Sequence, residues 1–308
     1  MSEAAWIAVD WGTSNLRAWG IGADGEMRFA VSSGDGMSKL APEGYPGALT
    51  ALVADRIGEH GPPLDVLICG MAGARQGWRE APYVEVPADL GALASGAIMP
   101  PMPEGRLRPR ILPGICQRET GAEEVMRGEE TQLLGLASLS PGFAGTVCMP
   151  GTHAKWVRLA DRHVERFATA MTGEMFELLR AHSVLRHSLN GDLHGAARDE
   201  GFAHGLALGL DAPGRLLSQL FKVRTAALLS GRTPDWCAGY LSGLLIGSEI
   251  GGARSWIGRE TVAVVGDETL SALYAAGIEA AGGQARIVDG TEAVLAGLAA
   301  ARTQIPGR

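Results

Sequence analysis

With 308 residues, 46% of them hydrophobic and 20% charged, the chain has the composition of a soluble globular protein large enough for two ordinary domains. A formal net charge of -7 without any basic block gives no footprint for nucleic acid or an anionic membrane, so neither is expected as a partner. No apolar run is long enough to span a bilayer, and the four cysteines (Cys69, Cys116, Cys148 and Cys237) form no CxxC pair, which points to buried reduced thiols.

The start, MSEAAWIAVD, has no basic-then-apolar leader and runs straight into a strand, so a cytoplasmic protein is expected. Residues 7–9, 16–21 and 27–32 read as three strands of an antiparallel meander with short turns. Ala48, Leu49, Leu52, Val53 and Ile57 then recur at helical spacing. A short buried strand at 64–69 runs into a glycine-rich loop at 70–78, and five prolines keep 99–114 extended or looped. Helical spacing returns over 123–138, with Met126, Leu133, Leu134 and Ala137 along one side, until Ser140-Pro141-Gly142 breaks it. From Thr146 the opening pattern begins again. Residues 6–37 and 146–175 each hold an apolar run, a Gly-Thr loop, a second run, a polar turn, a third run and a Gly close to a Met, with Gly12-Thr13 aligned on Gly151-Thr152. Helices are expected at 174–185, 213–229 and 234–250. A strand at 261–265, the turn Gly266-Asp267-Glu268, a helix, a strand at 285–288 and a helix at 291–302 close the chain.

The duplication points to two related domains whose Gly-Thr loops converge on one polyphosphate. In the first loop, Asp10 ends a strand and the chain turns through Gly12, Thr13, Ser14 and Asn15 to Arg17. Backbone N–H groups and short polar side chains in such a turn cradle phosphate oxygens. Asp10 is placed to hold Mg²⁺ directly or through water, and Arg17 to offset phosphate charge or meet an acidic substrate. The second loop supplies Gly151, Thr152 and Lys155 but no acid to match Asp10, so only the first half keeps a metal ligand. The plain alternative is a pair of ordinary hairpins with capped turns. Gly70, Gly73 and Gly77 do not have the spacing of a dinucleotide fingerprint, and no Walker A, HExxH or GxSxG string is present.

The strings VDWGTSNLRAW, VMRGEETQLLG (125–135), PGTHAKWV (150–157), TGEMFELL (172–179) and YLSGLLIGSEI (240–250) together resemble the 2-dehydro-3-deoxygalactonokinase family, sugar-acid kinases of the actin, Hsp70 and hexokinase superfamily. The resemblance covers nearly the whole chain. It implies an α/β fold of two ribonuclease H-like domains around a central nucleotide cleft. Residues 1–140 would carry the first phosphate loop and the sugar-acid site. Residues 141–308 would carry the second phosphate loop and the adenosine site, with the last helix packed back on the first domain as in relatives. It also implies that Gly266, Asp267 and Glu268 form the adenosine motif, with Gly243 and Gly247 of the 240–250 helix beside the adenine. The implied reaction is phosphorylation of the terminal hydroxyl of 2-dehydro-3-deoxy-D-galactonate by ATP with Mg²⁺.

Related carbohydrate kinases place their general base at a helix start near the end of the first domain, and Arg127 to Gln132 fits that place. Successive helical residues point about 100° apart, so one of Glu129 and Glu130 faces the cleft. Glu130 falls among the apolar positions, where an acid is costly without work or a partner, and it is favoured over Glu129. Cations and polar groups for the sugar acid come from Arg75, Trp78, Arg127, Met37 and Thr172, each of which has a structural reading as well. Three rivals remain: a kinase for another sugar acid such as 2-dehydro-3-deoxygluconate, an Hsp70-like nucleotide-driven binding protein, and a scaffold without catalysis. A second copy of the chain is the one protein partner left open.

Overall fold

The computed structural model describes residues 4–58, 60–190 and 194–305. Within them the chain divides into two compact units: Met1–Phe143 with Leu159–Arg166 and Gly290–Arg308, and Ala144–Arg158 with Phe167–Asp289.

The first unit opens with β1 (Trp6–Trp11), β2 (Leu16–Ile21) and β3 (Met27–Ser33), followed by α1 (Tyr45–Ile57) and β4 (Leu64–Gly70). Two short strands, β5 (Tyr83–Glu85) and β6 (Ala88–Asp89), precede β7 (Leu107–Ile111), β8 (Gly114–Gln117), β9 (Glu124–Met126) and α2 (Glu129–Leu139). The main sheet has the order β3-β2-β1-β4-β7, in which β1, β2 and β3 are antiparallel and β1, β4 and β7 parallel. Alternate residues of β1 and β4 meet α1 in a core of Ile7, Val9, Trp11, Leu49, Val53, Val66 and Ile68. Trp11, Tyr45 and Trp78 cluster within it, with ring centroids 4.7 to 6.0 Å apart, Tyr45 stacked on Trp78 and Trp11 edge-on to Trp78.

The plan repeats with β10 (Ala144–Met149), β11 (Ala154–Ala160) and β12 (His163–Ala170), all of the second unit except the stretch Leu159–Arg166, which groups with the first. Helices α3 (Thr172–His182), α4 (Ala196–Asp211), α5 (Leu216–Leu220), α6 (Lys222–Ser230) and α7 (Pro234–Gly252) come next, then β13 (Thr261–Gly266), α8 (Glu268–Ala280) and β14 (Gln284–Asp289). Apart from β6, which pairs antiparallel with β12 at the sheet's edge, the strand order β12-β11-β10-β13-β14 matches that of the first unit, and β10, β13 and β14 are again parallel. Three hairpin-linked strands flanked by two parallel ones is the ribonuclease H-like arrangement. The final helix, α9 (Gly290–Arg302), belongs to the first unit, where it packs on α2. That contact needs glycine on both sides: a Cβ on Gly135 would lie 1.7 Å from the Ala293 oxygen, and one on Gly297 1.9 Å from that of Thr131.

Two expectations need correction. The helix read over 123–138 starts only at Glu129, because 124–126 pair with β8 and Gly128 turns the chain at φ 109°, a region glycine enters without strain. The single helix at 213–229 is two short ones, α5 and α6, ended by Gly231 in the left-handed conformation. The extended part of the proline-rich 99–114 segment is β7, an edge strand where Pro109 is tolerated. Helix α4 has no counterpart among the expected elements: its apolar residues Phe202, Leu206 and Leu210 alternate with Gly201, Gly205 and Gly209, which dilute the periodic signal. Among the described residues no helix is long and apolar enough to cross a membrane.

Candidate active site

In the first unit β1 and β4 end side by side, with Asp10 opposite Cys69 and Trp11 opposite Gly70. Ligands of α/β sheets bind beyond such carboxyl ends. The chain leaving β1 closes a tight turn, with the Gly12 N–H donating to the Asn15 oxygen at 2.8 Å, and displays Thr13, Ser14 and Asn15 to solvent. Residues 36–38 buttress this turn. The Met37 and Ser38 N–H groups donate to the Gly12 and Thr13 oxygens at 3.1 and 2.9 Å. A Cβ at Gly36 would lie 2.3 Å from the Ser14 carbonyl carbon and 2.4 Å from the Thr13 oxygen. Met37 therefore touches the loop through its backbone. Gly36→Val is accordingly expected to push the 12–15 turn out of place and to cost about 1–3 kcal/mol, read as a lowered melting temperature.

The Asp10 carboxylate, 26% exposed, lies 3.8 Å from the Arg17 guanidinium. Burial raises its pKa; Arg17 pulls it down, and the nearby Glu129 carboxylate pushes it up. Gly70 brings these groups together. At φ +89°, its Cα side faces Gly128 at 3.3 Å from the latter's would-be Cβ, and its own Cβ would fall 3.4 Å from Asp10 Oδ1. No side chain separates the end of β4 from the start of α2. There Glu130 is fully buried, with one oxygen accepting the Gly128 N–H at 2.6 Å and the other the Thr131 hydroxyl at 3.0 Å. Burial above all, then the Glu129 charge, raises its pKa from 4.5 to about 7. Glu129, only partly buried, accepts the Arg127 N–H at 3.0 Å.

Arg127 is 8% exposed, donates Nη2 to the Ala81 oxygen at 2.8 Å, and lies 4.3 Å from the centroid of the Tyr83 ring. Its Nε and Nη1 are buried without a hydrogen-bond partner. Gly73 makes room for it, since a Cβ there would sit 2.8 Å from Nη1. Arg75 is exposed on the same glycine-rich loop. Trp78 is placed in the aromatic core, its Nε1 donating to the Pro101 oxygen at 3.1 Å.

In the second unit the loop after β10 carries Gly151 and Thr152, and Lys155 is buried with Nζ donating to the His153 oxygen at 3.1 Å. Gly173 backs this loop as Gly36 backs the first: a Cβ would lie 2.4 Å from the Gly151 oxygen. The Glu174 N–H donates to the Thr152 oxygen at 2.9 Å. Beside the loop opens a cavity of about 410 Å³, whose lining includes Thr152, Phe176, Ser242, Leu245, Asp267 and Tyr274. Phe176, Ser242, Leu245 and Tyr274 are beyond the reach of sequence reasoning, because they come together only from α3, α7 and α8.

Asp267 lines the cavity and also caps α8, accepting the Thr269 and Leu270 N–H groups at 3.0 and 3.2 Å. Glu268 is exposed in the first turn of that helix, and Gly266 is buried against Ser271 and Pro150. Gly243 and Gly247 lie on the opposite side of α7 from the expected one. Their would-be Cβ atoms meet the Phe202 and Leu206 oxygens of α4 at 2.1 and 2.5 Å, so they seat a helix, while Ala238, Ser242, Leu245 and Ile246 face the cavity. The signal is present as glycine every fourth residue in 201–209 and 239–251. Thr172 lines the cavity and gives its hydroxyl hydrogen to Glu249.

A family model described as 2-keto-3-deoxy-galactonokinase matches residues 10–301. The chain is 43% identical over 302 residues to a protein of Rhizobium meliloti (strain 1021) named as a probable 2-dehydro-3-deoxygalactonokinase, covering 97% of each chain. It is 34% identical over 296 residues to the 2-dehydro-3-deoxygalactonokinase of Escherichia coli (strain K12), covering 96% of each. A crystal structure of a candidate 2-dehydro-3-deoxygalactonokinase from Sinorhizobium meliloti, 43% identical, superposes with a TM-score of 0.90 over 98% of this chain and 97% of that one. Paired Gly-Thr loops, a buried acid at a helix start and similarity along almost the whole length agree: the chain belongs to the 2-keto-3-deoxy-galactonokinase family.

Proposed function

We propose a division of labour for this family's reaction, transfer of the γ-phosphoryl group of ATP to the 6-hydroxyl of 2-dehydro-3-deoxy-D-galactonate. The observation that carries it is Glu130, a fully buried carboxylate held by a backbone N–H and a hydroxyl, with a pKa of about 7. A base with that proton affinity accepts a hydroxyl proton at neutral pH, while positioning and charge neutralisation do the rest of phosphoryl transfer.

The turn at Gly12–Arg17 offers the phosphates a backbone cradle and a cation, and the second unit's Gly151–Lys155 loop offers the same chemistry without an acid. The cavity beside that second loop, lined mainly by apolar surface with Thr152, Ser242 and Asp267 among its polar groups, takes the nucleoside. Arg127, with Nε and Nη1 lacking a protein partner, suits the substrate carboxylate better than exposed Arg75 does. Mg²⁺, when bound, neutralises phosphate charge. Among the described residues no three His, Cys, Asp or Glu side chains are grouped to hold a metal, and Asp10 fits a site of one carboxylate completed by phosphates and water.

A panel of sugar acids tested for ADP release reads the substrate directly. For the metal, Asp10→Asn is expected to raise the Mg²⁺ concentration for half-maximal rate by at least about tenfold, the scale of weakened metal coordination. An unchanged Mg²⁺ titration would remove Asp10 from that role.

A further inference from the structure

Helix α7 carries a carboxylate that the reaction scheme does not use. Glu249 is partly buried, enough for burial to raise its pKa, and it accepts from three side chains of three other elements. Trp156 of β11 donates Nε1 to one oxygen at 2.8 Å; Tyr274 of α8 donates its hydroxyl to the other at 2.6 Å, and Thr172, the first residue of α3, donates to that same oxygen. A buried carboxylate is expensive to desolvate, and an apolar side chain would usually fill such a space at lower cost. What the carboxylate adds is direction, because it fixes where the Thr172 hydroxyl, and with it the first turn of α3, must sit.

That turn is the backing of the second phosphate loop. Immediately after Thr172, Gly173 packs against Gly151 with no room for a Cβ, and the Glu174 N–H holds the Thr152 oxygen. Thr172 and Tyr274 also line the nucleoside-sized cavity. We infer that Glu249 is a positioning residue for nucleotide binding: through Thr172 it fixes α3 against Gly151-Thr152, and through Tyr274 it fixes the adjoining cavity wall. It touches no reacting atom. The inference rests on the reading that this loop and cavity take ATP.

The test is calorimetric binding of the non-hydrolysable analogue adenylyl imidodiphosphate with Mg²⁺, done alongside steady-state kinetics and thermal melts. Wild type binding no analogue would overturn the nucleotide reading itself, independently of any variant. If wild type binds, Glu249→Leu is expected to weaken the analogue and raise KM for ATP about tenfold or more, leaving KM for the sugar acid within twofold. Glu249→Gln keeps one acceptor for Trp156 and sets an NH2 group with two hydrogens against the Thr172 and Tyr274 hydroxyls, which turn to accept, so it is expected to restore affinity to within about threefold. Because Glu249→Leu risks misfolding, Thr172→Val removes a single hydrogen bond from the same network and is expected to weaken the analogue several-fold with little change in melting temperature. Unaltered analogue affinity in Thr172→Val, or a lowered melting temperature with unaltered affinity in Glu249→Leu, would reduce the network to packing and overturn the inference.

Discussion

Glu130→Gln is expected to lower kcat by two to four orders of magnitude, the range lost with a positioned general base, while nucleotide affinity stays unchanged. Coupled ADP release with calorimetric nucleotide binding on the same preparation measures both. Full turnover would transfer the role to Glu129, whose carboxylate is one residue away and more exposed. The wild-type enzyme is expected to lose kcat below pH 7 as Glu130 takes up its proton, and this acid limb should be absent from the residual activity of the variant.

The same substitution has an opposite effect on stability. The unfolded chain releases the Glu130 proton near pH 4.5, whereas the folded protein keeps it until about 7. Between those values the native state binds more protons, so stability falls as pH rises through that window. At 1.36 kcal/mol per pKa unit the contribution lost above pH 7 is about 3 kcal/mol. Glutamine has no proton to lose. Glu130→Gln is therefore expected to melt above wild type at pH 8, with the difference closing by pH 5. An acid kept where it is unfavourable marks function rather than folding as its reason.

The second large effect is expected from Gly243→Val. Helices α4 and α7 approach through glycines on both sides: a Cβ on Gly205 would lie 2.1 Å from the Tyr240 oxygen, and one on Gly243 2.1 Å from that of Phe202. Ordinary contact begins near 3.4 Å, so the helices would have to separate by about 1 Å in an interior as dense as an organic crystal. The loss is expected at about 3 kcal/mol or more, the upper end for overpacking, and to lower the melting temperature by roughly 10 °C. Nucleotide affinity should fall with it, because Ser242, Leu245 and Ile246 on the same helix line the cavity. Gly252→Ala is the control. Nothing lies within 4 Å of that position, so the melt should stay where it is or rise slightly. Equal melts for wild type and Gly243→Val would show that the backbone contact is not required.

Features that depend on neighbours in the chain are legible in the amino-acid order alone. Gly12-Thr13 and Gly151-Thr152 declare themselves because turn chemistry is local, and the strand pattern around each repeats within some thirty residues. Glu129 and Glu130 stand at a helix start by the same kind of local evidence, and the family strings span the chain. The asymmetry of the loops, an acid at Asp10 in the first and none in the second, is equally plain in the sequence.

Only the tertiary structure decides which face each helix turns where. Gly243 and Gly247 read as adenine neighbours in the sequence, but α4 supplies the backbone they pack on, and α4 itself is hidden because glycine spacing lowers hydrophobic periodicity. Glu130 is distinguished from Glu129 by burial, which depends on β1 and β4 as well as on its own helix, and on Gly70 leaving that space open. Arg127's unpartnered nitrogens and Glu249's three donors arise from residues tens to nearly a hundred positions apart. Local sequence sets turns and helix starts because their energetics act within a few residues; burial, pKa and the direction of a side chain are set by contacts that exist only once distant segments have met.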